Sequence, residues 1–256
     1  MEQVNGYAAG RKRETALPAI WAHRGASGFA PENTMPAFEC AVREGADGIE
    51  LDVQSTRDGA LVVIHDERVD RTSDGTGYVR DMSLQELLKL NFNRNFPEYG
   101  TVRISLLQEV LEFCRTEKLS LNIELKNGMY DYPGLEAAVV EAVAKAGMEE
   151  QVIYSSFNHY SIERLGAIAP EAKRGILYSD RWINVPAYGK RLGVNALHPA
   201  LWHLDDAALI RNAHDKGLSV HVWTVNETDD MKRCHRLGAD AIITNFPGRC
   251  RKAVTE

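Results

Sequence analysis

The chain has 256 residues and a formal net charge of −6, and 44% of its residues are hydrophobic and 26% charged. This composition is that of an ordinary globular protein, and it excludes collagen-like, coiled-coil and wholly disordered chains. The acidic balance argues against a nucleic-acid partner. Because no apolar run approaches the ~20 residues that a membrane-spanning helix needs, we also expect no stable insertion into a membrane.

Residues 1–17 are predicted to be a polar N-terminal leader, and residues 18–256 a single domain. The only short basic run, Arg11 to Arg13, lies in this leader, and we interpret it as part of a solvated tail. The leader has no apolar segment after a basic start, which argues against a secretory signal and favours a cytoplasmic location. The cysteines are too widely spaced for a zinc or redox motif, so reduced thiols are expected at Cys40, Cys114, Cys234 and Cys250.

Short runs rich in β-branched and aromatic residues alternate with segments of helical periodicity. The predicted strands are 19–23, 48–53, 61–65, 119–125, 151–157, 174–178, 193–197, 218–225 and 241–246. The clearest predicted helices are 34–44, 105–117, 134–147, 159–169, 205–216 and 227–237. Helices are expected to begin at the N-cap candidates Ser105, Asp205 and Asn226 and to stop at Gly45, Gly217 and Gly238.

Repeated alternation of strand and helix predicts parallel βαβ units. The run 61–65 follows the second strand through a hairpin-type turn at residues 57–59, so we assign it as an extension beside that strand. The remaining eight strands predict a TIM (β/α)8 barrel with a small insertion at residues 66–104. An open doubly wound sheet is the alternative, but no GxGxxG motif follows the first strand.

Polar residues are expected at the carboxyl ends of several predicted strands, the face on which this fold builds active sites. Glu50 and Asp52 are two residues apart, so their carboxylates share one face of a strand. Glu124 and Lys126 repeat this arrangement, and His23 and His65 end two other strands. Three convergent carboxylates require a cation, and hard oxygen ligands suit Mg²⁺ or Ca²⁺.

The expected charges suit a monoanionic phosphodiester. Arg24, Lys126 and a divalent ion together slightly outweigh the three carboxylates, and a diester would complete the balance. Histidines on either side of it can serve as general base and general acid.

These motifs together resemble the glycerophosphodiester phosphodiesterase family, and the resemblance covers residues 20–247. The matching segments are AHRG at 22–25, PENT at 31–34, GIELDVQSTRDG at 48–59, VVIHD at 62–66, DRTSDGTG at 70–77, NIELK at 122–126, VWTVN at 222–226 and TNFP at 244–247. One difference is ISLLQE at 104–109, where family members often have Pro-Thr-Leu-x-Glu.

The resemblance implies a TIM barrel with an insertion after the HD motif and a divalent metal on Glu50, Asp52 and Glu124. It further implies catalysis by His23 and His65 and contact of Arg24 and Lys126 with the phosphate. The neighbouring glycerol hydroxyl would attack phosphorus, and water would open the resulting cyclic phosphate. Glycerol 3-phosphate and an alcohol would be the products.

Five further residues are candidates for the pocket. Glu32 and Asn33 of PENT are expected to order the loop after the first strand. Phe157 and Trp223 end strands, where they would either wall the pocket or fill the core, and His198 is a third strand-end candidate.

Three functions remain open at this stage. The first is hydrolysis of a small-molecule glycerophosphodiester such as glycerophosphocholine. The second is cleavage of lysophospholipids or other large lipid diesters, which an exposed apolar patch at the barrel mouth would favour. The third is a non-catalytic barrel that binds phosphate compounds. The head group, the choice between Mg²⁺ and Ca²⁺ and the oligomeric state are not determined by the sequence.

Overall fold

The computed structural model describes residues 16–256, so the basic run at residues 11–13 and most of the predicted leader lie outside the described part. The strands of this part are β1 (Ala19–His23), β2 (Gly48–Ser55), β3 (Leu61–Val63), β4 (Ser105–Leu106), β5 (Ser120–Leu125), β6 (Val152–Ser156), β7 (Lys173–Tyr178), β8 (Ala196–Pro199), β9 (Ser219–Val222) and β10 (Ala241–Thr244). Its α-helices are α1 (Met35–Arg43), α2 (Leu84–Leu87), α3 (Leu107–Glu117), α4 (Leu135–Ala146), α5 (His159–Ile168), α6 (Val185–Leu192), α7 (Leu209–His214), α8 (Thr228–Leu237) and α9 (Pro247–Thr255).

Eight parallel strands close into a barrel in the order β1, β2, β5, β6, β7, β8, β9, β10. The ring closes where β10 pairs with β1, with Ala19 opposite Ala241. Helices follow the strands and cover the outside. The predicted TIM barrel is therefore confirmed, and the open-sheet alternative is wrong because an open sheet has no such closing pair.

The second barrel strand continues beyond the barrel as a small antiparallel extension. Strand β3 pairs with the end of β2, with Val63 opposite Val53, which confirms the predicted hairpin. Strand β4, which was not predicted, then pairs with β3. The sequence predicted that Glu50 and Asp52 lie at the carboxyl end of their strand. They lie within it instead, because β2 continues to Ser55.

The segment between β3 and β4 has its own apolar core. Among the described residues, α2 is the only α-helix of this segment, and it begins at a capping box formed by Ser83 and Glu86. The buried core residues of the segment and its flanks are Val62, Ile64, Val69, Val79, Leu87, Phe92, Val102 and Ile104. This packing fixes the insertion against the extension of β2.

Several predicted helix starts are wrong. Ser105 lies in β4, and Leu106 precedes α3. Asp205 ends a 3₁₀ segment, and α7 begins only at Leu209. Asn226 lies one residue before the N-cap of α8, and its side-chain oxygen accepts hydrogen bonds from Asn245 and Thr244 instead. The side chains of Asp205 and Asn226 make tertiary contacts instead, and Ser105 is paired with Val63 in the sheet, none of which local patterns reveal.

Two helices were missed because breaker residues obscure their periodicity. Helix α6 contains Pro186 and Gly189, and α9 begins with Pro247 and Gly248. A proline in the first turn is compatible with a helix, since that turn lacks an internal acceptor for its N–H. The predicted helix ends at Gly45, Gly217 and Gly238 are confirmed, and all three glycines have positive φ.

The apolar residues form a layer between barrel and helices and a smaller cluster inside the barrel. The interior cluster consists of Trp21, Ile153, Ala196, Ala241 and Ile243. Within residues 16–256, no helix has both the length and the apolar composition needed to cross a membrane.

Candidate active site

Three carboxylates meet inside the barrel mouth. Glu50 and Asp52 project from β2, and Glu124 projects from the neighbouring β5, where it is paired in register with Asp52. One oxygen from each residue lies within 4.8 Å of the others, and all three residues are buried. The strand alternation that placed Glu50 and Asp52 on one face thus brings them to Glu124 as well.

The electrostatics of this cluster fit a divalent cation. Burial, together with the charges of Asp52 and Glu124, raises the pKa of Glu50 well above its ordinary value. The Oδ1 atom of Asp52 is buried and has no hydrogen-bond partner, while its Oδ2 accepts a 2.8 Å bond from Asn33. Buried carboxylate oxygens with unused lone pairs are the hard ligands that Mg²⁺ and Ca²⁺ prefer, so these residues can hold such an ion.

Two cationic side chains border the carboxylates. The backbone N–H of Arg24 donates to Glu50 Oε2 at 2.9 Å, and its Nε lies 3.4 Å from Asp52 Oδ2. Lys126 donates to Glu124 Oε1 at 2.8 Å, with Asp52 Oδ1 3.9 Å away. Burial opposes charge on Lys126, but Glu124 and Asp52 outweigh it and raise the pKa of the ammonium group. Both cations therefore stay charged beside the site.

His23 ends β1 and is oriented by an amide. Its Nδ1 lies 2.7 Å from Oδ1 of Asn245, and because an amide oxygen only accepts, Nδ1 is the protonated nitrogen of the neutral ring. Burial and the nearby charge of Arg24 lower the pKa of His23 to about 4. At neutral pH, Nε2 is thus left as a free acceptor.

His65 follows β3 and is oriented by a carboxylate. Its Nδ1 lies 2.6 Å from Asp66 Oδ1, and Arg71 donates to the same carboxylate. Hydrogen bonding to His65 and Arg71 holds the pKa of Asp66 well below its usual range, although burial opposes this. Gln54 donates to the carbonyls of three successive residues at 64–66, which fixes the backbone that carries His65.

The turn after β1 places Arg24 through unusual backbone geometry. Arg24 has φ 55° and Gly25 has φ 79°. A Cβ at Gly25 would lie 2.7 Å from the carbonyl carbon of Ala37. The glycine of His-Arg-Gly is therefore required by the backbone conformation, while the histidine and arginine carry the chemical groups.

The pocket candidates divide into three positions. Glu32 pairs with Arg24 and Arg71, and Asn33 bonds to Asp52, so both PENT residues contact the charged site. The rings of Phe157 and Trp223 are in edge-to-face contact, with centroids 5.5 Å apart, and Lys126 Nζ lies 5.9 Å from the Phe157 centroid. His198 is fully buried and bonds to His221, a placement that does not favour a pocket role.

Four polar residues that contact this site were not singled out from the sequence. Asp66 and Asn245 orient the two histidines, Gln54 supports His65, and Arg71 joins Asp66 to Glu32. All four had a visible signal, because Gln54, Asp66, Arg71 and Asn245 belong to the matching segments GIELDVQSTRDG, VVIHD, DRTSDGTG and TNFP.

Comparison with known proteins identifies the family of this chain. The sequence model of the Glycerophosphoryl diester phosphodiesterase family matches residues 23–249. The chain belongs to this family. The predicted resemblance is thereby confirmed, and the protein is a phosphodiesterase.

Individual relatives agree over almost the whole chain. A glycerophosphodiester phosphodiesterase of Caldanaerobacter subterraneus subsp. tengcongensis is 43% identical over 229 residues, covering 89% of this chain and 94% of the relative. One from Bacillus altitudinis is 40% identical, covering 92% and 98%. Among solved structures, an Oleispira antarctica phosphodiesterase in complex with the product sn-glycerol-3-phosphate superimposes with a TM-score of 0.84 at 28% identity, covering 94% of this chain and 98% of that one.

Proposed function

We propose that this protein hydrolyses glycerophosphodiesters to glycerol 3-phosphate and an alcohol, with a divalent metal and two histidines. The observation that supports this most directly is the convergence of Glu50, Asp52 and Glu124 between two oriented histidines. The family and the product-bound relative point to the same substrate class. The metal, Mg²⁺ or Ca²⁺, would be held by the three carboxylates and would neutralise charge on the phosphoryl oxygens.

The chain's own residues account for binding. Arg24 and Lys126 would hold the phosphate oxygens, and their positions beside the carboxylates would stabilise the charge that grows there during reaction. Glu32 and Asn33 would keep Arg24 and Asp52 in place. The neighbouring glycerol hydroxyl needs no diffusional encounter with phosphorus, since it is part of the same substrate.

The different partners of the two histidines support different roles. His23, which is neutral and has a free Nε2, would remove the proton from the attacking hydroxyl. His65, whose Nδ1 is held by the Asp66 carboxylate, would donate a proton to the leaving alcohol oxygen. A cyclic phosphate and the alcohol result, and water then opens the ring with the proton roles reversed. One water is consumed in total.

The test is a coupled assay for glycerol 3-phosphate over several glycerophosphodiesters, with and without chelator. His23→Ala and His65→Ala should each lower kcat by about 10²–10⁴-fold on glycerophosphocholine while circular dichroism stays unchanged. For the release of p-nitrophenol from its glycerophosphodiester, measured by absorbance, only His23→Ala should remain strongly impaired, because this leaving oxygen needs no proton. Full activity of either variant on glycerophosphocholine contradicts the mechanism. Absence of any metal-dependent hydrolysis would favour the non-catalytic alternative.

The protein is also proposed to reside in the cytoplasm. All four cysteines are buried and unpaired, which supports a cytoplasmic location for the protein. The substrate is proposed to be a small molecule, with no nucleic-acid partner.

A further inference from the structure

An apolar groove leads away from the candidate active site. It encloses about 1250 Å³ and is lined by the loops after β5, β6 and β7 together with helices α5 and α6. Such a volume exceeds the ~300–1,000 Å³ that small-molecule sites usually offer. A glycerol and a small head group therefore leave most of the groove unfilled.

The groove borders the proposed phosphate site. Phe157 lines it and also lies beside Lys126. Glu67, only two residues after His65, lines the same groove. No residue of β1 or its following loop takes part, so the groove opens on the side of His65 and away from His23.

The wall of the groove is aromatic and rigid. The rings of His159, Trp182 and Tyr188 contact one another with centroids 5.2–5.5 Å apart. His159 is fixed by bonds to the Leu177 carbonyl and the Tyr188 hydroxyl. Further along, Tyr160 and Met129 are 76% and 68% exposed, which is unusual for apolar side chains grouped beside a site.

An apolar occupant fits this wall better than a cationic head group. Trp182 meets His159 and Tyr188 edge to face, and the His159 ring is tilted at 33° to that of Tyr188. With centroids 5.2–5.5 Å apart, the three rings are too close together for an ammonium ion to lie between them. The guanidinium of Arg191 already lies 5.6 Å from the Tyr188 centroid. Glu67 and Glu163 are the other charged residues that line the groove. Its apolar surface is formed by Met129, Phe157, Tyr160 and Trp182.

We propose that this groove binds a long apolar chain carried by the alcohol of the glycerophosphodiester. The inference rests on the proposed function, in which His65 protonates the leaving oxygen, because that places the alcohol on the groove side. The reaction is unchanged: the P–O bond to the alcohol breaks, and one water is consumed. The chain-bearing alcohol is released.

The experiment compares substrates that differ only in an acyl group. The full chain with Mg²⁺ or Ca²⁺ is assayed, below micelle-forming concentrations, on glycerophosphoethanolamine acylated at nitrogen with acetyl, octanoyl or dodecanoyl groups. A fourth substrate carries dodecanoyl on the glycerol and acetyl on the nitrogen. We expect kcat/KM to rise by about tenfold or more from acetyl to dodecanoyl on the alcohol side, because apolar area leaves water. No such rise is expected for the chain on glycerol.

Groove variants identify where the chain binds. Tyr160→Ser and Trp182→Ser should remove most of the rise with chain length while leaving turnover of the acetyl compound unchanged. Ile168→Ser is the matched control. Ile168 is 48% exposed and ends α5, the helix that carries Tyr160 near its start, but it does not line the groove. Ile168→Ser should keep the full rise.

Three results would overturn the inference while leaving the proposed function intact. They are equal kcat/KM for all nitrogen-acylated substrates, a rise only when the chain is on glycerol, and an undiminished rise in both groove variants. If no member of the series is hydrolysed, the proposed function itself fails.

Discussion

Gly25 illustrates how one residue without a side chain can determine an active site. The backbone N–H of Arg24 donates to Glu50, and this requires the chain to turn sharply at residues 24 and 25. The turn also packs against α1, where Ala37 leaves no room for a Cβ at Gly25. The position of Arg24, the proposed phosphate-binding arginine, thus depends on its neighbour.

Replacing Gly25 by alanine should cost both stability and activity. Gly45→Ala is the matched control, because Gly45 also has positive φ but no atom lies within 4 Å of its added Cβ. Both variants bear a backbone strain of about 1–2 kcal/mol, and only Gly25→Ala adds a steric overlap of roughly 1–3 kcal/mol. Urea unfolding and the phosphodiesterase assay measure the two effects. Equal losses of stability, or full activity of Gly25→Ala, would show that the close packing has no such role.

At the scale of elements, β8 and β9 bring two histidines together inside the barrel. His198 Nε2 lies 3.1 Å from His221 Nδ1, and the His221 ring also contacts Trp21. Burial lowers the pKa of His221 to about 4 and, with the proximity of His221, lowers that of His198 well below its ordinary value. The pair is therefore neutral in the folded protein over most of the acidic range.

This pair should make the fold sensitive to acid. The unfolded rings take up protons below pH ~6.5 and the folded rings do not, so stability is lost as pH falls from about 6.5 toward 4. His221 alone should contribute a loss of about 3 kcal/mol over that range. The free energy of unfolding by urea, measured at several pH values, should fall less steeply in His221→Asn than in the wild type. Parallel curves would contradict the assignment.

For the molecule as a whole, a metal held at the carboxylate site would link metal binding to folding. Its ligands lie on β2 and β5 and come together only when the barrel closes. A metal that binds only the native state stabilises it by mass action, by about 3 kcal/mol at one hundred times the dissociation constant. In a chain of this size, chelation should therefore lower Tm by roughly 5–10 °C.

Differential scanning calorimetry of the chelated and metal-loaded protein tests this. Glu124→Gln should abolish most of the metal-dependent rise in Tm. Glu141→Gln, which alters an exposed carboxylate on α4, should retain the rise. A Tm that does not respond to metal in the wild type would argue against a metal at these carboxylates.

The sequence by itself determined the barrel and the main members of the candidate site. Alternation of residue types along a strand is a local property, so it was enough to pair Glu50 with Asp52 and Glu124 with Lys126. The order of strands and helices was enough to predict the closed sheet, and the motifs were enough to predict the family.

Only the tertiary structure decided which groups meet across the barrel. His23 finds its partner Asn245 at a distance of 222 positions along the chain, because closure of the sheet places β1 beside β10. His198, which the sequence left as a pocket candidate, is buried against His221 because β8 pairs with β9. The apolar groove is assembled from loops that follow separate strands, and no local pattern encodes the distance between them.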